Sequence, residues 1–154
     1  MDKNEFVTRT EQIKTRLYRT AFLYLGSENM ALDAVDESIY RGLLSLKKLR
    51  QPEYFETWIT RILINECKKE LRRRKREQPL DTIPETAEEM FDSLPLKEAL
   101  SRLPQVLKEI IILRYFTGFT LAETAISLEI PQGTVVTRQR RALSLLKLEL
   151  SEEE

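Results

Sequence analysis

The sequence predicts an all-α protein built from two small helical domains that a flexible acidic linker joins. Along most of the chain, apolar residues recur at steps of three and four, which is the period of amphipathic helices. No stretch shows the alternating β-branched pattern of strands. The composition agrees, because 42% of the residues are hydrophobic, 32% are charged and only 4 are glycine, as in a folded, helix-rich protein.

Three helices are expected in the first half of the chain. The first covers residues 6–25, and Gly26 and Ser27 indicate a helix end followed by the N-cap of a second helix, over residues 28–46. Pro52 opens a third helix that runs to about residue 76, because proline suits the first turn of a helix. The residues that this third helix is expected to bury are Phe55, Trp58, Ile59, Ile62 and Leu63.

Residues 77–92 break the periodic pattern with two prolines, many acids and few apolar residues. We therefore predict a first domain over residues 1–76, a linker over 77–93 and a second domain over 94–150. In the second domain, one helix covers residues 94–103 and the next follows Pro104 and ends at Gly118. The apolar residues expected to line that second helix are Val106, Ile110, Ile111, Leu113 and Tyr115.

The end of the chain has a helix-turn-helix pattern. Thr120 and Glu123 match a capping box before a short helix over residues 121–128, and a turn leads to a last helix over 132–150. Arginines on this last helix can neutralise phosphates or bind guanines from the major groove. Small residues, Ala125 and Val135, are predicted where the two helices cross. The pattern alone leaves DNA binding open, because any helical hairpin with surface arginines shares it.

Charge is strongly segregated, although the formal net charge is zero. Residues 47–76 contain 11 Lys and Arg against 4 Asp and Glu, whereas residues 77–101 contain 1 against 7. A neutral total therefore does not argue against a nucleic-acid partner.

Several classes of function are excluded by missing residues. The sequence has no histidine and one cysteine, Cys67, so it has neither an internal disulfide nor a Cys/His zinc site. It also lacks an apolar run of the roughly 18 to 20 residues that span a bilayer, a signal peptide, a Gly-rich phosphate loop and a carboxylate set with metal-ligand spacing. We expect a cytoplasmic protein that is not an enzyme and has no catalytic residues, metal site or cofactor.

Residues 103–150 resemble region 4 of the extracytoplasmic function (ECF) sigma factors of bacterial RNA polymerase. The residues that match with the family's spacing are Leu103, Pro104, Arg114, Tyr115, Gly118, Glu123, Ala125, Ile130, Pro131, Gly133, Thr134, Val135, Arg138, Arg141 and Ala142. Residues 54–76 are similar to regions 2.3 to 2.4, with Trp58, Arg61 and Asn65 in register. Residues 31–46 resemble region 2.2, the helix with which the family grips the polymerase.

The resemblance implies an alternative sigma factor that binds core RNA polymerase and recognises minus-10 and minus-35 promoter elements, often in a stress response. The implied partners are the β′ clamp helices and β flap of the polymerase, promoter DNA and an anti-sigma factor, often membrane-bound, with no small-molecule substrate. The implied polymerase-binding residues are Asp33, Val35, Asp36, Glu37, Ile39 and Tyr40. The implied minus-10 residues are Tyr54, Trp58, Arg61, Asn65, Lys68 and Arg72, next to a loop over residues 47–54. The implied minus-35 residues are Gln132, Thr134, Thr137, Arg138 and Arg141.

Four positions depart from the family pattern. Glu129 stands where the family has a turn glycine, and Val136 stands where lysine is common. The first is expected to strain the turn, and the second to remove a phosphate contact. Gln139 replaces a usual apolar residue, and Asp36 stands where glutamine is common.

Simpler structural interpretations also remain open. Trp58 is in phase with Phe55 and Ile59 and fits core packing, while residues 72–76 fit a solvated helix end favoured by the macrodipole. Asp36 and Glu37 fit ordinary exposed acids, and Cys67 fits an inert, half-buried residue. The linker fits either a soluble tether or a segment that occupies the RNA exit path. Two other classes remain: a free-standing helix-turn-helix regulator that binds operators as a dimer, and a helical adaptor or RNA-binding protein that uses only the basic helix.

Overall fold

The structure is a computed structural model that describes residues 1–77 and 94–152, with side chains for residues 1–75 and 98–147. Within these ranges there are seven α-helices and no strand, and the helices form two compact units. The all-α architecture of two helical domains is thereby confirmed. The predicted linker lies outside the described residues except for Glu77, and the domain boundaries given above stay predictions.

The first unit consists of helices α1 (Lys3–Leu25), α2 (Glu28–Leu44) and α3 (Phe55–Glu77). The second helix is two residues shorter than predicted, because a 3₁₀ turn, Leu46–Lys48, follows it. A second 3₁₀ turn, Pro52–Tyr54, begins at the predicted proline and leads into α3.

The predicted boundary between α1 and α2 is confirmed. Gly26 adopts a left-handed conformation (φ 68°), and its N–H donates to the Phe22 carbonyl over 2.7 Å. Ser27 caps α2, because its hydroxyl accepts a hydrogen bond from the Met30 N–H over 3.3 Å. Arg74 of α3 donates to the Leu25 carbonyl over 2.5 Å and so satisfies another acceptor at the α1 terminus.

The core of the first unit is close-packed around Phe55, Ile59 and Leu63 of α3. Trp58 and Ile62 are only half-buried, so the predicted core face of α3 is narrower than expected. Gly42 lies against this core, because a Cβ atom there would come within 2.6 Å of the Ile59 side chain.

Cys67 was expected to be half-buried, and the structure corrects this. Its side chain is fully buried in the first unit. Burial, with a smaller contribution from the neighbouring Glu66 charge, raises the pKa of the thiol to about 12. Cys67 is therefore a core residue whose thiol stays neutral.

The second unit consists of α4 (Leu94–Arg102), α5 (Gln105–Ile111), α6 (Leu121–Leu128) and α7 (Gln132–Glu152). A π-helical turn, Ile112–Phe116, extends α5, and Gly118 (φ 83°) follows it. The Thr117 N–H accordingly donates to the carbonyl five residues back, over 2.8 Å.

Two predicted core residues of this segment, Val106 and Tyr115, are in fact 48% and 52% exposed. Val106 lies off the face that Leu107 and Ile111 bury, about 120° from its centre. The π turn adds a residue to the turn and shifts the phase beyond it. Tyr115 within the π turn is exposed, whereas Phe119, after Gly118, is buried.

The predicted helix-turn-helix is confirmed in detail. The Thr120 N–H donates to a Glu123 carboxylate oxygen over 2.9 Å, and the Glu123 N–H donates to the Thr120 hydroxyl over 3.1 Å. Ala125 and Val135 meet in an apolar cluster with Ile110, at the predicted crossing. Glu129 occupies the left-handed region (φ 57°, ψ 43°), where the family's glycine would be unstrained.

Candidate nucleic-acid and protein interfaces

One face of α3 brings together the residues that the sequence assigned to the minus-10 element. They follow one another at steps of three and four, so they form one stripe about 21 Å long from Trp58 to Arg72. The core residues Ile59, Leu63 and Cys67 lie on the opposite side of the helix. Tyr54 precedes the stripe on the 3₁₀ turn and is exposed. Within the stripe Arg61, Asn65 and Arg72 are exposed, and Trp58 and Lys68 are half-buried.

Trp58 packs on the core and also reaches solvent. Its ring centroid lies 6.3 Å from that of Phe55, which in turn contacts Phe6 edge-to-face at 5.7 Å. Because Trp58 is only half-buried, part of this residue is exposed to solvent. The packing interpretation and the binding interpretation of this residue are therefore compatible.

A contact between α1 and α3 holds the loop before the stripe. Arg9 donates to the Pro52 carbonyl over 2.7 Å, and its guanidinium lies 4.9 Å from the centre of the Phe55 ring. Leu49 is buried and anchors the middle of the loop. The loop is thereby fixed, with Lys47, Lys48 and Arg50 exposed. Sequence analysis missed Arg9, since no local pattern links residues 43 positions apart.

The basic run at the end of α3 divides into different roles. Arg74 caps α1, as described above. Arg73 is hydrogen-bonded to Glu70, and this bond lowers the pKa of the Glu70 carboxyl. Arg72 and Lys75 are exposed. Within residues 72–75, two of the four basic side chains therefore have partners inside the unit, and the other two are exposed.

The exposed face of α2 contains most of the residues assigned to polymerase binding. Asp33, Asp36 and Tyr40 are exposed, and Glu37 and Ile39 are half-buried. Two exposed leucines that the sequence analysis did not single out, Leu32 and Leu44, extend this face, and Leu44 is 68% exposed. The exposed face of α2 therefore mixes apolar and acidic side chains, with Asp36 between Leu32 and Tyr40 in a row of residues spaced by four.

Val35 differs from the other residues assigned to polymerase binding. Its side chain is only 2% exposed and belongs to the core of the first unit. It lies about 100° from Asp36 around the helix axis, on the side that α2 buries. Its burial indicates a packing role within the unit, and its assignment to polymerase binding stays a prediction.

Arg41 joins α2 to α3. Its Nε atom lies 3.0 Å from a Glu37 carboxylate oxygen and 2.8 Å from a Glu66 carboxylate oxygen. The Glu37 charge is therefore partly matched within the unit. Asp33 and Asp36 are more exposed than Glu37 and carry the acidic character of the α2 face.

The last helix, α7, presents the residues assigned to minus-35 recognition. Val135, Ala142 and Leu146 bury one side of it. Thr134, Thr137, Arg138 and Arg141 lie within about 100° of one another, beside the buried side of the helix, with Thr137 and Arg141 exposed and Thr134 and Arg138 half-buried. Gln132 belongs to the first turn and points away from that group. Val136 is half-buried, next to the crossing residue Val135.

Arg114 links three segments of the second unit. Its Nε–H donates to the side-chain oxygen of Gln139 over 2.7 Å, and its Nη1 donates to the Phe119 carbonyl over 2.6 Å. Gln139, one of the four departures from the family pattern, thus has Arg114 as a hydrogen-bond partner. The sequence analysis noted Arg114 only as a matched position, because a contact 25 residues away leaves no periodic signal.

Two general properties complete the description of these surfaces. Across residues 1–77 and 94–152, no helix is both long and apolar enough to cross a membrane. In the same part of the chain, no three His, Cys, Asp or Glu side chains are grouped so that they could hold a metal ion.

Family comparisons match both units. The model described as Sigma-70 region 2 matches residues 10–77, and that described as Sigma-70, region 4 matches residues 99–148. RNA polymerase sigma factor SigV of Bacillus subtilis (strain 168) is 35% identical over 153 residues, which cover 96% of this chain and 92% of SigV. ECF RNA polymerase sigma factor SigW of the same strain is 25% identical over 169 residues, with 97% and 90% covered.

Solved structures share the fold. The sigma factor RpoE in complex with the anti-sigma factor NepR from Bartonella quintana has a TM-score of 0.80 at 21% identity, and 97% of this chain and 99% of that chain are covered. CnrH in complex with the cytosolic domain of CnrY also has a TM-score of 0.80, at 19% identity, with 99% and 92% covered. From the two family models, the 35% identity to SigV and the match to the ECF sigma factor SigW, it follows that this chain belongs to the ECF group of the sigma-70 family, alternative sigma factors that direct promoter-specific transcription initiation and are not enzymes.

Proposed function

We propose that this sigma factor uses three separate surfaces: the exposed face of α2 for core polymerase, the basic stripe of α3 for the minus-10 element and the start of α7 for the minus-35 element. The observation that carries the proposal is the placement of the three residue sets. Apart from Val35, every member is exposed or half-buried, and the three sets lie on α2, on α3 with the turn before it, and on α7. Each surface has the chemistry that its partner requires.

The α2 face suits a protein partner. Leu32, Tyr40 and Leu44 supply exposed apolar and aromatic area, and Asp33 and Asp36 lie beside them. Apolar or aromatic anchors with a polar rim are typical of protein interfaces. We assign this face to the β′ clamp helices of the polymerase and assign Glu37 mainly to the internal contact with Arg41.

The α3 stripe suits single-stranded DNA. Arg61, Lys68 and Arg72 provide positive charge along the helix, and Trp58 and Tyr54 provide rings at its start. Binding of an unpaired strand combines a basic path for phosphates with aromatic surfaces on which bases stack. The fixed loop before α3, with its exposed Lys47, Lys48 and Arg50, lies next to these rings in the chain and extends the basic path.

The start of α7 suits duplex DNA. Its first turns follow the turn of the helix-turn-helix, where recognition helices contact base edges in the major groove. Arg138 and Arg141 can bind guanine edges or phosphates, and Thr134 and Thr137 offer hydroxyl groups. We place the contact to the β flap of the polymerase in this same unit.

We also propose that an anti-sigma factor regulates this chain in the cytoplasm. Both solved neighbours named above are complexes with such partners or with their cytosolic domains. The exposed apolar α2 face is a surface that an inhibitor must cover to prevent polymerase binding. A membrane-bound anti-sigma factor would hold the chain at the membrane without a spanning helix of its own.

The test is reconstituted transcription with the purified chain and core polymerase. We expect promoter-specific transcripts, and we expect Asp36→Arg combined with Tyr40→Ala to abolish both core binding and transcripts. Gln12→Arg, an exposed change on α1, is the matched control and should leave both intact. Normal core binding by the double variant would contradict the α2 assignment, and duplex binding without transcripts would favour a free-standing regulator.

A further inference from the structure

Gln139 occupies an unusual place on α7. The helix buries Val135, Ala142 and Leu146, and position 139 falls in the same row, at steps of four, three and four. An amide is thus half-buried on the side of α7 that faces the rest of the unit. A polar group in such a row is costly unless it has a hydrogen-bond partner.

Arg114 supplies that partner and reaches beyond it. One donor of its guanidinium binds Gln139 over 2.7 Å, and another binds the Phe119 carbonyl over 2.6 Å. Phe119 directly precedes Thr120, the N-cap of α6. A single planar group therefore connects the π turn, the start of the helix-turn-helix and the second turn of α7.

We propose that Gln139 is a positioning residue for minus-35 recognition, which with Arg114 fixes the rotation of α7 about its own axis. The apolar contact between Ala125 and Val135 brings the two helices together, but apolar contacts are non-directional. Hydrogen bonds from a planar guanidinium are directional and fix the angle. The proposal rests on the proposed function of α7 in DNA reading.

Small rotations of α7 matter for reading bases. Side chains reach about 5 to 6 Å from a helix axis, so a rotation of about 10° moves them by about 1 Å. A binding constellation needs placement within about 0.5 Å. Arg138 is the direct neighbour of Gln139, and Arg141 follows two residues later. Both would change direction if the link were lost.

The test measures sequence discrimination by the full-length chain. The probe is a labelled duplex that carries the minus-35 element of a promoter transcribed by the reconstituted holoenzyme, with single base-pair replacements as competitors. We expect Gln139→Leu to lower the affinity ratio between the correct and replaced duplexes by about fivefold to tenfold. The same variant should still unfold in one cooperative transition, because the gain from leucine in the apolar row offsets part of the loss of the Arg114 hydrogen bond. Gln139→Glu retains an acceptor oxygen and should preserve discrimination.

Each outcome has one meaning. A loss of discrimination with Gln139→Leu that is non-additive with Arg114→Ala supports the positioning role. Unchanged discrimination, or an equal loss of affinity for every duplex, overturns it. If the wild-type chain does not distinguish the duplexes at all, the proposed function of α7 fails instead, independently of Gln139. Ser144→Ala, an exposed change on the same helix, should alter none of these measurements.

Discussion

At the scale of single residues, stability depends on whether buried groups are matched and whether the backbone suits the side chain. Among the described residues, the buried hydroxyls of Thr10 and Ser127 have no hydrogen-bond partner. Thr20, on the same helix as Thr10, is equally buried, but its hydroxyl donates to the Arg16 carbonyl over 3.0 Å. Thr10 and Thr20 thus form a matched pair, because both are buried but only the Thr20 hydroxyl has a hydrogen-bond partner.

We expect Thr10→Val to leave the free energy of unfolding unchanged or raise it by up to about 1 kcal/mol, because an unmatched hydroxyl is replaced by a methyl group of similar shape. Thr20→Val should lower it by about 1 kcal/mol, because a hydrogen bond is lost. Urea unfolding of both variants gives the comparison. Equal destabilisation by the two changes would show that the Thr10 hydroxyl is satisfied in solution.

Glu129 is a second residue-scale case. Its left-handed conformation (φ 57°) costs a non-glycine residue roughly 1 kcal/mol. Glu129→Gly should therefore stabilise the second unit by about that amount and leave the salt dependence of DNA binding unchanged. Glu129→Gln, which removes only the charge, serves as the control. Thermal unfolding measures both, and no gain with glycine would mean that the turn relaxes in solution.

The buried thiol predicts a pH dependence. The pKa of Cys67 is raised from 9.0 to about 12 in the folded protein, so the neutral form is favoured there. Above pH 9 the unfolded chain releases this proton while the folded chain keeps it. The free energy of unfolding should therefore fall by about 1.4 kcal/mol per pH unit above 9 relative to Cys67→Ala. Urea titrations of both proteins between pH 8 and 10 check this, and parallel pH profiles would contradict it.

At the scale of helices, close approach and helical phase decide the packing. Gly42 lets α2 approach Ile59, since a Cβ atom there would lie 2.6 Å from the Ile59 Cδ1 atom. Gly133, near the start of α7, has no heavy atom within 4 Å of the same built position. A methyl group added at position 42 would therefore meet a neighbouring side chain, whereas one added at position 133 would meet open space.

We expect Gly42→Ala to destabilise the first unit by about 1 to 3 kcal/mol from overpacking, which exceeds the gain of about 1 kcal/mol in helix propensity. Gly133→Ala should be neutral or stabilising, because only the propensity term acts. Denaturant unfolding of both variants provides the measurement. A neutral Gly42→Ala would show that the Ile59 side chain moves aside at little cost.

The effect of the side chain at position 136 on DNA binding depends on the direction in which α7 presents it. Val136 lies about 100° from the crossing residue Val135 and is half-buried. Val136→Lys should tighten minus-35 binding and steepen the slope of log affinity against log salt by about 0.9, with little change in sequence preference. Val136→Gln is the uncharged control. If Val136→Lys and Arg138→Ala are both silent, α7 is not the DNA-reading helix.

At the scale of the whole molecule, each described unit has a core of its own. The first is centred on α3, and the second joins α4, α5 and α7 around Leu103, Leu107 and Ala142. Two separate cores favour independent folding of the two parts.

We expect limited proteolysis to cut first between residues 77 and 92, because that sequence lacks a continuous apolar face. The two resulting fragments should each unfold cooperatively. Mass spectrometry of early digests and thermal scans of the fragments provide the data. Initial cleavage within residues 28–76 would contradict the two-domain organisation.

The sequence alone determined the local features of this protein and its family. Helical periods, the cap at Ser27 and the capping box of Thr120 and Glu123 depend on residues within a few positions of one another, so they can be read directly. The motif that places Arg138 and Arg141 on the last helix is local for the same reason.

Only the tertiary structure decided which side chains are exposed and which are buried or held by contacts with distant segments. Val35 has the same spacing as its exposed neighbours, but packing between helices buries it. The cap that Arg74 gives to α1 and the link from Arg114 to Gln139 depend on which distant segments meet. A periodic pattern encodes the orientation of a residue on its own helix. The partner that orientation meets depends on how the helices pack.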